Sequence, residues 1–377
     1  MDSTVKQQER FHFLDGLRGI ASLMIVFHHT FTSNIAKALT KAHLSAVAYY
    51  FSYFTQSGVE LFFVLSGVVL LRPYLRKQRK FNTVNYFSRR ARRILPPYWA
   101  ALMFAALVSL YINANPTWYS KLVFHLYFDW WEITKEALII NFNSEYYNVA
   151  WWSLGIEILF YLFAPLFLII FPSYHKLDNA RISVMLLSTI ALSIALQLFL
   201  THYHPAIYDY HNISSNIYQA ICYPACFLMG MLLAAKDFDI PAAKVFIASG
   251  LLLAVISWLY NPLIHSGFGL LYAGIIILSF RAQSFRRWLS RPIMIWLGER
   301  SYSIFLIHFS VFYFIDNLVA EFTKGPGAAY GILTRLIGVP LALFMAMLLF
   351  RFVERRQAHG LVTGHIFWPW QAHRLKI

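Results

Sequence analysis

Long apolar stretches joined by short, mostly basic connections leave this chain one kind of fold. A window of about 19 residues, enough for a helix to cross hydrocarbon, finds ten candidate spans: 14–32, 57–75, 95–114, 150–171, 182–201, 217–235, 243–260, 264–281, 291–315 and 332–351. In lipid every backbone N–H and C=O needs an internal partner, so spans of this length must be helices. The expectation is all-α: a polytopic transmembrane helical bundle of about ten spans. Composition agrees, with 13% charged and 59% hydrophobic residues, where soluble chains carry about 25% charge. No stretch outside the spans is long enough to fold alone, so 1–355 reads as one transmembrane domain and 356–377 as a short tail. The polar Met1–Arg10 leads straight into a charged helix and does not resemble a cleavable leader.

The net charge of +15 does not point to nucleic acid, because the basic residues fall between spans. The segment from Arg72 to Arg93 holds Arg72, Arg76, Lys77, Arg79, Lys80, Arg89, Arg90, Arg92 and Arg93 without one acid. It must face the cytoplasm. Alternate connections agree, through Lys176 and Arg181, Lys236 and Lys244, Arg281 to Arg291, and the tail from Arg351. Both termini are then cytoplasmic. The outward set is poor in Lys and Arg, and its long member, Asn115 to Val149, is aromatic (Trp118, Tyr119, Trp130, Trp131, Tyr146, Tyr147). It reads as an interfacial belt or re-entrant helix, or alternatively as a platform for sugar rings.

The first span breaks the apolar rule. At about 100° per residue, Arg18 and His29 differ by about 20°, with Ser22 and Asp15 on the same side, so one polar stripe rises about 16 Å along the helix. Asp15 and Arg18 are either a neutralising pair at the interface or part of a site. Counting from span ends puts His28, His29, Glu60, Glu157 and His308 near the outer third of the bilayer, and the guanidiniums inside. A histidine beside a carboxylate is the minimum for general-base activation of a hydroxyl, and Arg89, Arg90 and Arg93 suit a phosphate-bearing donor. Anionic lipid headgroups and the topology signal also account for those arginines. Cys222 and Cys226 share one helical face and read as a small buried thiol pair. His202 and His204, with Asp209 and His211 nearby, do not make a convincing ligand set, so no metal is expected.

These stretches resemble a known family. FLDGLRGIASLMIVFHH is similar to the opening helix of the acyltransferase-3 family of integral membrane acyltransferases, whose mark is a basic residue and a histidine separated by ten positions; Arg18 and His29 fit. SGVELFFVLSG resembles the second motif, with Glu60 in its acidic position and Ser66-Gly67 at its end. FSRRARRILPPYW resembles the arginine-rich third. WWSLGIEILFY carries Glu157 where the family has the first of two acids, and Ile158 where it has the second. GERSYSIFLIHF matches through Ser301, Tyr302 and His308. RFVERR resembles the closing motif, with Arg355 where proline is common.

The resemblance implies transfer of an acyl group, most often acetyl, from cytoplasmic acyl-CoA to a hydroxyl of an extracytoplasmic carbohydrate or related acceptor. In that reading Arg89, Arg90 and Arg93 anchor the CoA phosphates, and Asp15 and Arg18 line the donor's path. His29 acts as general base or brief acyl carrier, and Glu60 or Glu157 orients it. Ser66, Tyr302 and His308 line the substrate. Many members carry a fused extracytoplasmic hydrolase-like domain; none is visible in this sequence, so it is expected to be self-sufficient or to use a separate extracytoplasmic partner. The expected location is a bacterial inner membrane, and Asn212-Ile213-Ser214 is read as a chance match to a glycosylation acceptor. The rival class is a transporter or flippase of a glycan or lipid intermediate, and a non-catalytic subunit is a third reading. The paired halves a transporter predicts are not seen.

Overall fold

The computed structural model describes residues 11–76, 81–122, 128–139, 147–170, 179–203, 221–257, 259, 263–325 and 327–355. Among them the regular structure is helical throughout. Helix α1 (His12–Phe27) runs without a break through a π-helical turn, His28–Thr32, into α2 (Ser33–Lys41), and α3 (Ser45–Gln56) meets α4 (Gly58–Leu75) at Ser57. Then come α5 (Thr83–Ala114), α6 (Trp130–Ala137), a 3₁₀ turn at Val149–Trp151, α7 (Trp152–Ile170), α8 (Asn179–Tyr203) and α9 (Pro224–Ala235). The last third holds α10 (Ile240–Ile256), α11 (Leu263–Arg281), α12 (Gln283–Leu289), α13 (Pro292–Glu299), α14 (Ser301–Ala320), α15 (Ala328–Leu349) and a second π turn, Phe350–Glu354.

Among the described residues six helices are long and apolar enough to cross a membrane, within Ser45–Leu75, Thr83–Ala114, Val149–Leu166, Leu263–Arg281, Ser301–Ala320 and Tyr330–Glu354. Shorter apolar helices occupy Val184–Leu200, Pro224–Ala235 and Ile240–Ile256. The protein is a multi-pass membrane protein, with large apolar side chains such as Met103, Leu107, Leu192, Leu252 and Leu336 exposed on the flanks.

Helices α1, α4 and α14 form the centre, with α5, α7, α9, α11 and α13 against them. Several crossings are tight enough to require glycine, and two show how tightly. Helices α4 and α9 meet at Gly67 and Gly230, where a Cβ on Gly230 would lie 2.1 Å from the Val64 carbonyl. At the α1–α13 crossing a Cβ on Gly298 would lie 1.8 Å from the Asp15 carbonyl. Any side chain there would separate the helices.

Three expectations need correction. The arginine-rich stretch read as a connection is helical: α5 starts at Thr83, with the Asn82 side chain accepting from the Asn85 N–H, and continues for 32 residues, through Pro96 and Pro97. Those prolines remove the donors to the Arg92 and Arg93 carbonyls. The span expected at 291–315 is two helices broken at Arg300. Its guanidinium lies over the Trp296 ring (4.4 Å) and the Phe350 ring (4.6 Å), and its Nη1 donates to the Trp296 carbonyl at 3.0 Å. A charge anchored in this way ends one helix before the next begins.

The third correction concerns depth. The segment after α5 does not stay at its far end: α6 packs beside the middle of α5, where the Tyr98 hydroxyl donates to the Glu136 carbonyl at 2.9 Å and Trp99 Nε1 to the Ala137 carbonyl at 3.0 Å. Tyr98 is the sixteenth of the 32 residues of α5. The start of α7 packs there too, with the Trp151 and Tyr98 rings 5.0 Å apart. Glu157, expected near the outer end of its span, lies on the α7 helix that starts beside the middle of α5. Tyr146 lies outside the described residues, as do His204, Asp209, His211 and Asn212.

Candidate active site

Two cavities lie along α1, one at each end of the polar stripe. The larger, about 660 Å³, is lined by Arg18, Ser66, Arg93, Ser153, Glu157, Tyr161, Ser301 and Tyr302 on a floor that includes Val59 and Phe305. The smaller, about 320 Å³, is lined by Ile25, His28, His29, Gln56, Ala150 and Trp152, and again by Val59 and Phe305. The two spaces thus meet at one apolar pair. One is lined by guanidiniums and the other by imidazoles.

In the larger cavity Arg18 Nε lies 3.4 Å from Ser301 Oγ, a long contact. Glu157 Oε1 accepts from Ser66 Oγ at 3.2 Å and from the Tyr161 hydroxyl. The Tyr302 hydroxyl donates to the Ile94 carbonyl at 3.0 Å, tying α14 to α5 next to the proline pair. Of the three arginines expected to grip phosphate, Arg93 lines this cavity. Arg90 stacks behind it over Tyr161 and Tyr86 (5.5 and 5.9 Å), and Arg89 Nη2 donates to the Tyr74 hydroxyl at 2.8 Å. Asp15 is not among the lining residues. It sits at the α1–α13 crossing, with its carboxylate 3.9 Å from His12.

Beside the smaller cavity the His29 ring packs edge-on to Phe309 (4.7 Å) and tilted against His308 (5.4 Å), neither of which is among the lining residues. His308 is fully buried. Its Nδ1 faces two acceptors, the carbonyls of Ile304 (3.0 Å) and Phe305 (2.9 Å), so Nδ1 carries the proton and Nε2 a lone pair. Nε2 has no partner among the described residues. His28 points the other way, its Nδ1 3.1 Å from Thr55 Oγ1.

Neither carboxylate expected to orient His29 touches it. Glu157 is held by Ser66 and Tyr161 in the other cavity. Glu60 Oε1 pairs with Nδ1 of His265 on α11 at 2.7 Å, beside the Tyr223 ring; Cys226, one of two buried free thiols, donates to the His265 carbonyl at 3.5 Å. The sequence reading missed His265, whose only signal was an imidazole within an apolar span. It also missed Asp316 and Arg335, an ion pair inside α14 and α15 (3.0 Å), and Glu354, which accepts from Ser303 Oγ at 2.6 Å.

A family model described as an acyltransferase domain, that of the acyltransferase-3 family, matches residues 11–351. Putative O-acetyltransferase SACOL0978 of Staphylococcus aureus (strain COL) is 24% identical over 372 residues, covering 90% of this chain and 56% of the relative. O-acetyltransferase OatA of S. aureus (strain NCTC 8325 / PS 47) is 24% identical over 379 residues, with the same coverage of each. The chain therefore spans little more than half the length of these relatives. No solved structure gives a significant match. The family match takes in every residue that lines the two cavities, and on that ground the chain belongs to the acyltransferase-3 family of integral membrane acyltransferases.

Proposed function

We propose that the protein is a membrane O-acyltransferase that moves an acyl group, acetyl first among them, from acyl-CoA on the cytoplasmic side to a hydroxyl of an extracytoplasmic carbohydrate or related acceptor. The observation that carries this reading is the pair of cavities joined at Val59 and Phe305, cationic on one side and imidazole-lined on the other. That asymmetry suits a donor with an anionic head and a neutral reactive end. Its relatives' names supply the O-acetyl chemistry.

In this reading Arg93 and Arg18 hold the donor's phosphates by charge-assisted hydrogen bonds, with Arg89 and Arg90 behind them. Ser66, Tyr161 and Tyr302 shape the wall. The donor's narrow arm passes Val59 and Phe305 so that the thioester reaches His29. His29 takes the proton of the acceptor hydroxyl as its oxygen attacks the thioester carbonyl; the C–S bond breaks, and the thiolate leaving group takes that proton back. His308 supports the imidazolium that forms, through the lone pair on its Nε2. Topology follows the positive connections: the guanidinium cavity opens toward the cytoplasm, with ten spans, both termini inside, and 1–355 acting as one domain in a bacterial inner membrane.

The test is transfer of radiolabel from acetyl-CoA by purified wild type and His29→Ala, incubated with a crude envelope extract. Base-labile labelled material made by the wild type alone supports the reading and identifies the acceptor class. Equal labelling by both proteins, or none by either while CoA binds, contradicts it.

A further inference from the structure

The turn that carries His28 and His29 is π-helical, His28–Thr32. A π turn departs from the regular i−4 ladder, and such turns are frequent at functional sites. Here a second helix bonds to it. Arg335 of α15 donates through Nε to the Thr30 carbonyl at 3.1 Å, and through Nη1 to Asp316 Oδ1 of α14 at 3.0 Å and Thr334 Oγ1 at 3.3 Å. Asp316 is 6% exposed. Two turns before it on the same helix stands His308, whose ring lies 5.4 Å from that of His29. One guanidinium therefore fixes the His29 turn relative to the helix bearing the second imidazole. Neither Asp316 nor Arg335 lines either cavity, and a charged pair within apolar helices calls for a reason beyond packing.

We propose that Arg335, oriented by Asp316, is a positioning residue for His29: it donates to the Thr30 carbonyl of the π turn and sets the distance between the His29 and His308 rings. This rests on the acyltransferase reading for its kinetic consequence, although not for its structural one. A lysine at 335 keeps a charge for Asp316 but lacks the forked donors that reach Thr30 and Asp316 together.

The experiment compares wild type, Arg335→Lys, Arg335→Met and Asp316→Asn in detergent. It reads acetyl-CoA consumption, CoA affinity, the thermal midpoint, and the rate at which diethyl pyrocarbonate modifies His29, followed by peptide mass spectrometry with the exposed His43 as internal control. The expected result is a kcat about ten- to a hundredfold lower in Arg335→Met, the scale of a misplacement near 1 Å, with CoA affinity and KM within about threefold of wild type. Arg335→Lys should keep the thermal midpoint yet recover kcat only in part, and the His29 modification rate should change severalfold while His43 does not. Unchanged kcat and His29 reactivity in both Arg335 variants overturn the proposal. So does full rescue of both by lysine, which would reduce the pair to a structural tie. A wild type that binds CoA without consuming it sinks the acyltransferase reading instead; the His29 reactivity then decides the positioning claim alone.

Discussion

Val59 of α4 and Phe305 of α14 face both cavities, and they are 7% and 9% exposed. The same two apolar side chains therefore border the cavity lined by Arg18 and Arg93 and the cavity lined by His28 and His29. In the proposed reading, a donor held by Arg93 passes these two side chains on its way to His29.

Their size should set which acyl groups pass. Val59→Trp is expected to retain CoA binding and lose acetyl transfer. Phe305→Ala is expected to shift the propionyl-to-acetyl preference by about tenfold or more, the worth of one methylene in an apolar slot. Turnover with acyl-CoAs of increasing length checks both.

Glu60 is expected to act on stability and not on the chemistry. Its 2.7 Å pairing with His265 joins α4 to α11, and breaking a buried pair on one side typically costs about 3–5 kcal/mol. Glu60→Ala should lower the thermal midpoint in detergent, and replacing both residues, as Glu60→Leu with His265→Phe, should recover much of the loss. A Glu60→Ala protein that keeps its midpoint and loses only kcat would return Glu60 to the site.

Outside the spans, Asp237 ties the connection after α9 to the end of α4. Arg76 Nη1 donates to Asp237 Oδ2 at 2.8 Å, and Nε to the Ala234 carbonyl at 2.9 Å. The hydrogen bond and charge of Arg76 hold the Asp237 carboxyl below its ordinary value. A folded-state value below the unfolded one means stability that is present above the unfolded carboxylate's pKa and lost as pH falls through the folded one. The side chain is 57% exposed, so the effect should be small, within about 1 kcal/mol. Asp237→Asn should lower the midpoint slightly at neutral pH and converge with wild type in acid; parallel melting curves from neutral pH into acid check this.

Much of the helical framework was legible because apolar length is a strong signal: the windows at 57–75 and 264–281 correspond to α4 and α11 within a residue. Motif spacing also anticipated Arg18 and His29 at opposite ends of one stripe. The break at Arg300 was not legible, since an averaged window absorbs one arginine among apolar neighbours. That Glu157 pairs with Ser66 and Tyr161 in the guanidinium-lined cavity was not legible either, because depth counted along a span does not say which neighbouring helix a side chain faces. Long-range partners were hidden for a simpler reason. His265 is 205 residues from Glu60, and Arg335 is 305 residues from Thr30, so nothing local announces either contact.

The central claim is a division of labour between the two cavities, and CoA binding measured beside acetyl-CoA turnover in Arg93→Ala and His29→Ala tests it most directly. The account predicts that Arg93→Ala weakens CoA binding by about tenfold or more, the worth of a hydrogen bond to a charged group, whereas His29→Ala binds CoA as wild type does and releases no free thiol in the presence of acceptor. If His29→Ala loses CoA binding as severely as Arg93→Ala, or turns over acetyl-CoA at the wild-type rate, the two cavities do not divide donor binding from chemistry and the account is contradicted.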